Sequence, residues 1–365
     1  MSSRPIQERL LFIDGLRAIA ALWVILYHFY HNSPYFDYFT SVLPEPLLFL
    51  CAKGWLGVEI FFVVSGYVIA LSLSRDAITP RYTIGFIVRR YIRLYPPYFA
   101  IILAWILLTW FSNLLISSRT LAYPSWQQLL CHVFYLQNLF SQGDIVPVTW
   151  SLCLEIQFYV LYIVCLLCMM APRRWMRIAG GGLLWLTTIF SWIVPFAPSL
   201  FPPELRINDW FLGTWYLFSM GVFAAWAKQN RRMFRFACSL AVGILCILCF
   251  RWNQAVFIGL ATMVGILAAT HFQKLGAWLS SPIIQYFGRR SYSIYLVHFA
   301  VGLRLIDYGY RIFGETRGAA WFVTLAGWMV TLLVVEGMYR LLERPSVALA
   351  QKVKPYFAIS SKAKA

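Results

Sequence analysis

Arg17 and His28 stand in one apolar stretch, Asp14-Gly-Leu-Arg17-Ala-Ile-Ala-Ala-Leu-Trp-Val-Ile-Leu-Tyr-His28. Their separation is close to three helical turns at about 3.6 residues per turn. A helix would therefore carry both on one face, roughly 16 Å apart along its axis. A neutral imidazole can accept a proton from a hydroxyl near neutral pH, and a guanidinium can hold a phosphate or a developing oxyanion. Read singly, Arg17 is a snorkelling anchor and His28 an interfacial histidine. Aligned on one face, they suggest general-base chemistry beside an anion.

Other polar residues repeat this pattern of chemistry set in apolar surroundings. Glu59 sits in Gly57-Val-Glu59-Ile-Phe-Phe-Val-Val-Ser65-Gly66-Tyr67, where a carboxyl must be paired, protonated or facing water. Arg90 and Arg93 share a face in Arg89-Arg90-Tyr-Ile-Arg93-Leu-Tyr-Pro-Pro97. Taken alone they read as a basic cluster at an inner membrane surface, and given a ligand they read as a phosphate site. In Trp150-Ser151-Leu-Cys-Leu-Glu155-Ile-Gln157-Phe-Tyr159, the residues Ser151, Glu155 and Tyr159 recur every fourth position and form a polar stripe. Lipid cannot satisfy such a stripe, so it must face the bundle interior or a wet cavity. Ser291, Tyr295 and His298 share another face, with a structural and a catalytic role both open for His298. His31 reads as a loop residue, while His132 and His271 have no comparable setting.

The elements that must position these groups are membrane helices. Of the 365 residues, 61% are hydrophobic and only 12% are charged, against roughly 25% charged in soluble domains. Ten apolar runs approach the roughly 20 residues that a bilayer core requires: 11–30, 55–73, 94–116, 146–170, 178–196, 209–227, 236–250, 256–270, 291–308 and 319–342. The seventh and eighth are the shortest. With the N-terminus cytoplasmic, only Lys53, Arg119, Arg206, Arg251, Arg304, Arg311 and Arg317 of the 31 basic residues fall on the outer side. The positive-inside rule then places both termini in the cytoplasm and accounts for the net charge of +17 without nucleic acid. The fold expected is an all-α integral membrane protein, a bundle of about ten transmembrane helices. Residues 1–345 form the membrane domain and 346–365 a basic cytoplasmic tail, with no appended soluble domain. Asp14 and Arg17 interrupt any signal-peptide core, so the first helix is expected to be retained. The C-x-x-C spacings Cys165–Cys168 and Cys246–Cys249 lie within spans and read as packing residues, with no metal site implied. Gly180 to Gly182 reads as a helix-packing surface.

Several motifs occur in one order from Asp14 to Pro345. They are Arg-x10-His, Phe-Phe-Val-Val-Ser-Gly-Tyr, Arg-x-x-Arg before Leu-Tyr-Pro-Pro, Trp-Ser-Leu-x-x-Glu-x-x-Phe-Tyr, Ser-Tyr-Ser-Ile-Tyr-Leu-x-His and Glu343-Arg-Pro345. Together they resemble the membrane acyltransferase 3 family, polytopic O-acyltransferases of bacterial surface glycans and related molecules. The resemblance implies transfer of an acyl group, usually acetyl, from cytoplasmic acyl-coenzyme A to a hydroxyl of an extracytoplasmic glycan or similar acceptor. The setting would be the bacterial inner membrane among its lipids. It also maps Arg17 and His28, Arg90 and Arg93, and Glu155 onto the family's motifs.

The scheme expected has the coenzyme phosphates on Arg90 and Arg93 and His28 as general base. Arg17 holds a phosphate or polarises the thioester, and Glu155 or Glu59 fixes the His28 tautomer or pairs with Arg17. Trp150, Tyr159, Tyr295 and His298 are further candidates. An acyl-enzyme on Ser65, Ser151 or a cysteine is the covalent variant, with direct transfer preferred. The rival from another class is a proton-coupled transporter or flippase, which also uses Arg, His and Glu within spans.

Overall fold

A computed structural model of the protein describes residues 10–73, 78–115, 121–200 and 210–353, and these contain helices and no strand. The α-helices are α1 (Leu11–His31), α2 (Phe36–Val42), α3 (Glu45–Ala52), α4 (Gly57–Ser72), α5 (Pro80–Leu115), α6 (Trp126–Phe134), α7 (Trp150–Met169) and α8 (Arg174–Ile193). They continue with α9 (Trp215–Ala227), α10 (Arg231–Phe250), α11 (Gln254–His271), α12 (Pro282–Val297), α13 (Arg304–Phe313), α14 (Arg317–Met338) and α15 (Arg344–Val353). Two π turns, His298–Leu303 and Tyr339–Glu343, join α12 to α13 and α14 to α15 without a break.

Eight helical segments among the described residues are long and apolar enough to span a bilayer, which makes this a multi-pass membrane protein. They include eight of the ten runs expected from sequence. The two shortest runs do become full helices, of 20 and 18 residues: the Asn230 and Asn253 side chains cap them, and the helices begin at Arg231 and Gln254, ahead of the apolar runs. The two that fall short are α9 and the 282–313 helix. The first has only 13 residues, about 20 Å of helix. The second carries Arg289 and Arg290 in one half and Arg304, Asp307 and Arg311 in the other. The third run begins much earlier than expected: α5 starts at Pro80 and runs 36 residues straight through Pro96 and Pro97. Each proline withholds one backbone donor from the turn before it. Nearby, Tyr292 Oη donates to the Leu94 carbonyl at 2.7 Å. The counted cations Arg119 and Arg206, and the tail beyond Val353, lie outside the described residues.

Lipid offers no hydrophobic drive between helices, so close approach at small residues holds the bundle together. The α4–α9 crossing is the tightest. A Cβ on Gly66 would lie 2.0 Å from the Phe218 carbonyl oxygen, and one on Gly221 1.9 Å from that of Val63. Gly288 plays the same part between α12 and α1, where a Cβ would come 2.2 Å from the Asp14 carbonyl oxygen. That contact brings Arg17 alongside Ser291 and Tyr292. The outside of the bundle is apolar, as Leu333 (72% exposed) and Phe250 (89% exposed) illustrate.

Gly221→Val is expected to force α4 and α9 apart and cost about 1–3 kcal/mol. A clear fall in the melting temperature of the detergent-solubilised protein checks this; an unchanged melting curve would contradict the crossing.

Candidate active site

Helices α1, α4, α5, α7 and α12 enclose a cavity of about 70 Å³ inside the bundle, room for several waters at about 10–15 Å³ each. Its polar lining is Arg17 from α1, Ser65 from α4, Arg90 and Arg93 from α5, Ser151, Glu155 and Tyr159 from α7, and Ser291, Tyr292 and Tyr295 from α12. The four-residue stripe of α7 thus faces the interior. The sequence alone sets Arg90 and Arg93 in a basic cluster at an inner membrane surface; in the structure both side chains line this cavity. Because α5 is continuous from Pro80, they are carried into the bundle, where they separate this cavity from an open depression of about 240 Å³ that also holds Arg89.

Charge is the dominant feature of the cavity. Arg17, Arg90 and Arg93 lie within electrostatic reach of one another and of the carboxylates Glu155 and Glu343. None of the three is joined to a described carboxylate by an ion pair, and the carboxylates are engaged elsewhere. Glu155 Oε1 accepts from Ser65 Oγ at 2.6 Å and from Tyr159 Oη. Glu343, buried in the second π turn, accepts from Ser293 Oγ at 2.5 Å and from the Ser293 backbone N–H at 3.2 Å. Arg90 lies 5.0 Å from the Tyr159 ring centre and 5.4 Å from that of Phe86. Three cations and one carboxylate, Glu155, line the cavity, a surplus of positive charge to which an anion is complementary.

At its other end the cavity stops at Tyr295, whose hydroxyl hydrogen-bonds Ser151 Oγ at 2.7 Å and the Val148 carbonyl at 3.0 Å. The Tyr295 ring packs edge-on to Phe61 at 5.8 Å and lies 5.8 Å from the His298 ring. His28 is beyond this layer. Arg17 and His28 therefore do not share one cavity, although they share a helix: the bulky Tyr295 and Phe61 rings fill the space between their levels.

His28 is held by a second histidine. Its Nδ1 lies 2.9 Å from the Val24 carbonyl oxygen and 3.2 Å from His298 Nε2. His298 Nδ1 in turn lies 3.1 Å from the Ile294 carbonyl oxygen. A carbonyl can only accept, so both rings carry their proton on Nδ1. His298 Nε2 is then a lone-pair acceptor for the shared His28 Nδ1–H, and His28 Nε2 is left bare as the basic atom. Neither Glu155 nor Glu59, the two carboxylates expected to fix this tautomer or to pair with Arg17, is among the hydrogen-bond partners of His28. Glu155 is spent on Ser65 and Tyr159, and Glu59 hydrogen-bonds to no described residue. His298 opens a π turn, an irregularity common at functional sites.

The remaining candidates separate cleanly. Trp150 stays outside the cavity and packs edge-on against Phe62 at 6.2 Å. His132 is structural, its Nε2 accepting from the Ile145 N–H at 2.9 Å. His31 ends α1 and stacks on Tyr27, and His271 stacks on Phe234. Sequence reasoning missed Glu343 and Ser293. The Glu-Arg-Pro motif was visible, but its partner lies 50 positions away.

Residues 10–336 match the acyltransferase domain family, which leaves Glu343 to Pro345 beyond the matched stretch. A provisionally named O-acetyltransferase of Staphylococcus aureus strain COL is 26% identical over 91% of this chain, which spans 56% of that relative's length. The O-acetyltransferase OatA of S. aureus strain NCTC 8325 is 27% identical over 91% of this chain and 56% of its own. The chain thus spans about half the length of these relatives. The acyltransferase MdmB of Streptomyces mycarofaciens is 25% identical over 96% of this chain and 95% of its own. No solved structure matches.

Nitrogen-15 NMR of histidine-labelled protein is expected to show both His28 and His298 as Nδ1–H tautomers. It should also show a shifted His28 Nδ1 signal in the His298→Ala variant. An Nε2–H tautomer at His28 would contradict the paired arrangement.

Proposed function

This chain belongs to the membrane acyltransferase 3 family, and on that premise we propose that it is an O-acyltransferase working across a bacterial inner membrane. It takes an acyl group, acetyl in the simplest case, from cytoplasmic acyl-coenzyme A and delivers it to a hydroxyl of an extracytoplasmic glycan or similar acceptor. The observation that carries this reading is the convergence of Arg17, Arg90 and Arg93 on one internal cavity without an ion-pair partner among the described residues. An anionic, phosphate-rich donor supplies the countercharge they lack.

The basic segments bias the Arg90 end of the bundle to the cytoplasm. The depression around Arg89, Arg90 and Arg93 suits the nucleotide phosphates, and the narrow cavity behind it suits the slender pantetheine arm. Arg17 lies deeper and is placed to stabilise the thioester oxygen as it becomes negative. The thioester meets His28 when the Tyr295–Phe61 layer parts. The acceptor hydroxyl gives its proton to His28 Nε2 as its oxygen attacks the thioester carbon. The carbon–sulfur bond then breaks, and the departing thiolate takes the proton back from His28. His298 is a positioning residue: its lone pair steadies the His28 Nδ1–H and so the imidazolium that forms. The chemistry uses acyl-coenzyme A as co-substrate.

A second reading has one observation in its favour. Ser65 Oγ donates to Glu155 Oε1 at 2.6 Å inside the same cavity, which is a nucleophile beside a base. A stable mass gain of one acetyl group on Ser65, after acetyl-coenzyme A is added without acceptor, would establish that covalent route.

Purified protein with acetyl-labelled coenzyme A and a panel of hydroxyl acceptors is expected to yield acceptor-bound label. His28→Ala is expected to lower transfer by about 10²- to 10⁴-fold with coenzyme A binding retained; near-normal turnover would remove His28 as the base. The double variant Arg90→Ala, Arg93→Ala is expected to raise KM for acetyl-coenzyme A at least tenfold, a loss of about 1.4 kcal/mol or more. An unchanged KM would move the donor elsewhere.

A further inference from the structure

At the opposite end of the bundle from Arg90, a second cavity of about 300 Å³ opens between α1, α5, the first π turn and α13. One wall is a face of α13, where Arg304, Asp307, Tyr308 and Arg311 recur at the spacing that aligns side chains along a helix. The facing wall is aromatic. The Arg304 guanidinium lies 4.2 Å from the Trp105 ring centre, and the Phe299 ring lies 6.3 Å from Trp105. Phe299 also packs edge-on to His28 at 5.3 Å. A single ring therefore parts this cavity from the candidate base.

The lining is specific in its chemistry. A broad indole beside a carboxylate, a phenol and guanidinium forks can seat a hydroxylated ring, the aromatic face covering its C–H side while the polar groups take its hydroxyls. Among the described residues of this wall, two guanidiniums, Arg304 and Arg311, stand against one carboxylate, Asp307. Arg304 is placed against Trp105, whereas Arg311 is exposed at the far end of the face. Guanidinium forks match carboxylate and phosphate oxygens two at a time.

We propose that this cavity is the acceptor subsite and that it selects a hydroxylated ring bearing an anionic substituent, with Trp105 seating the ring and Arg311 holding the anion. This rests on the transfer reading above, and it adds where the acceptor sits and which acceptors are preferred. The chemistry is common to a carboxylate and a phosphate.

Binding to the full-length protein in lipid nanodiscs, measured by saturation-transfer NMR without acetyl-coenzyme A, tests it. The probes are methyl β-glucoside, methyl β-glucuronide and glucose 6-phosphate. At least one anionic probe is expected to bind roughly tenfold more tightly than the glucoside, and which one does so tells carboxylate from phosphate. Arg311→Glu, at an exposed position, should abolish that preference while the melting temperature stays unchanged, and Trp105→Phe should weaken all three probes. Equal binding of charged and neutral probes, absence of binding, or an unchanged preference in Arg311→Glu overturns the subsite. Preferential binding without acetyl transfer would uphold the subsite and count against the transferase. Transfer without any anionic preference would do the reverse.

Discussion

Three guanidinium groups held inside an apolar bundle, with no ion pair to neutralise them among the described residues, set the terms for the rest of this structure. Each such charge costs a few kcal/mol or more at membrane depth unless water or a counterion answers it. The surroundings are arranged to tolerate the charges while leaving them open to a ligand. Tyr159 and Phe86 offer ring faces to Arg90, and Glu155 and Glu343 supply negative potential from a distance. The bundle also keeps a cavity where a void-free core would otherwise form. A well-matched carboxylate at each arginine would have been the simpler way to lower the energy of the protein alone, and it would have closed the site to an anionic donor.

The same economy appears at the other half of the candidate site. His28 is oriented by an imidazole lone pair and a backbone carbonyl, so no further charge is introduced at that depth. A carboxylate partner would make a stronger base, at the cost of another ion to desolvate. The Tyr295–Phe61 layer then lies between the cation-lined cavity and the histidine pair, and in the proposed reaction it is the boundary at which donor and acceptor would meet. Such a boundary protects a thioester from water until both substrates are present.

Local pattern revealed a good part of this from sequence. The stripe of Ser151, Glu155 and Tyr159 obeys helical periodicity, and its interior placement follows from the cost of polar groups in lipid. What local pattern could not show was long-range pairing. His298 meets His28 across 270 positions, so the expectation turned instead to the nearer carboxylates Glu155 and Glu59. The apolar run 94–116 already held Pro96 and Pro97, but it did not reveal that α5 begins at Pro80, because the segment before Leu94 is too rich in arginine to read as apolar. That earlier start sets Arg90 and Arg93 on the same helix as the span, where they line the cavity. The face of α13 from Arg304 to Arg311 was visible as a repeat, yet it drew notice only as charge on an outer segment.

The central claim is that the arginine-lined cavity and the His28–His298 pair act on one donor molecule. A structure determined with acetyl-coenzyme A bound tests it most directly. The account predicts phosphates against Arg89, Arg90 and Arg93, the pantetheine arm running past Arg17, and the thioester carbon in contact with His28. A donor bound outside this cavity, or a thioester that ends beside Ser65 with His28 still sealed behind Tyr295, would contradict it.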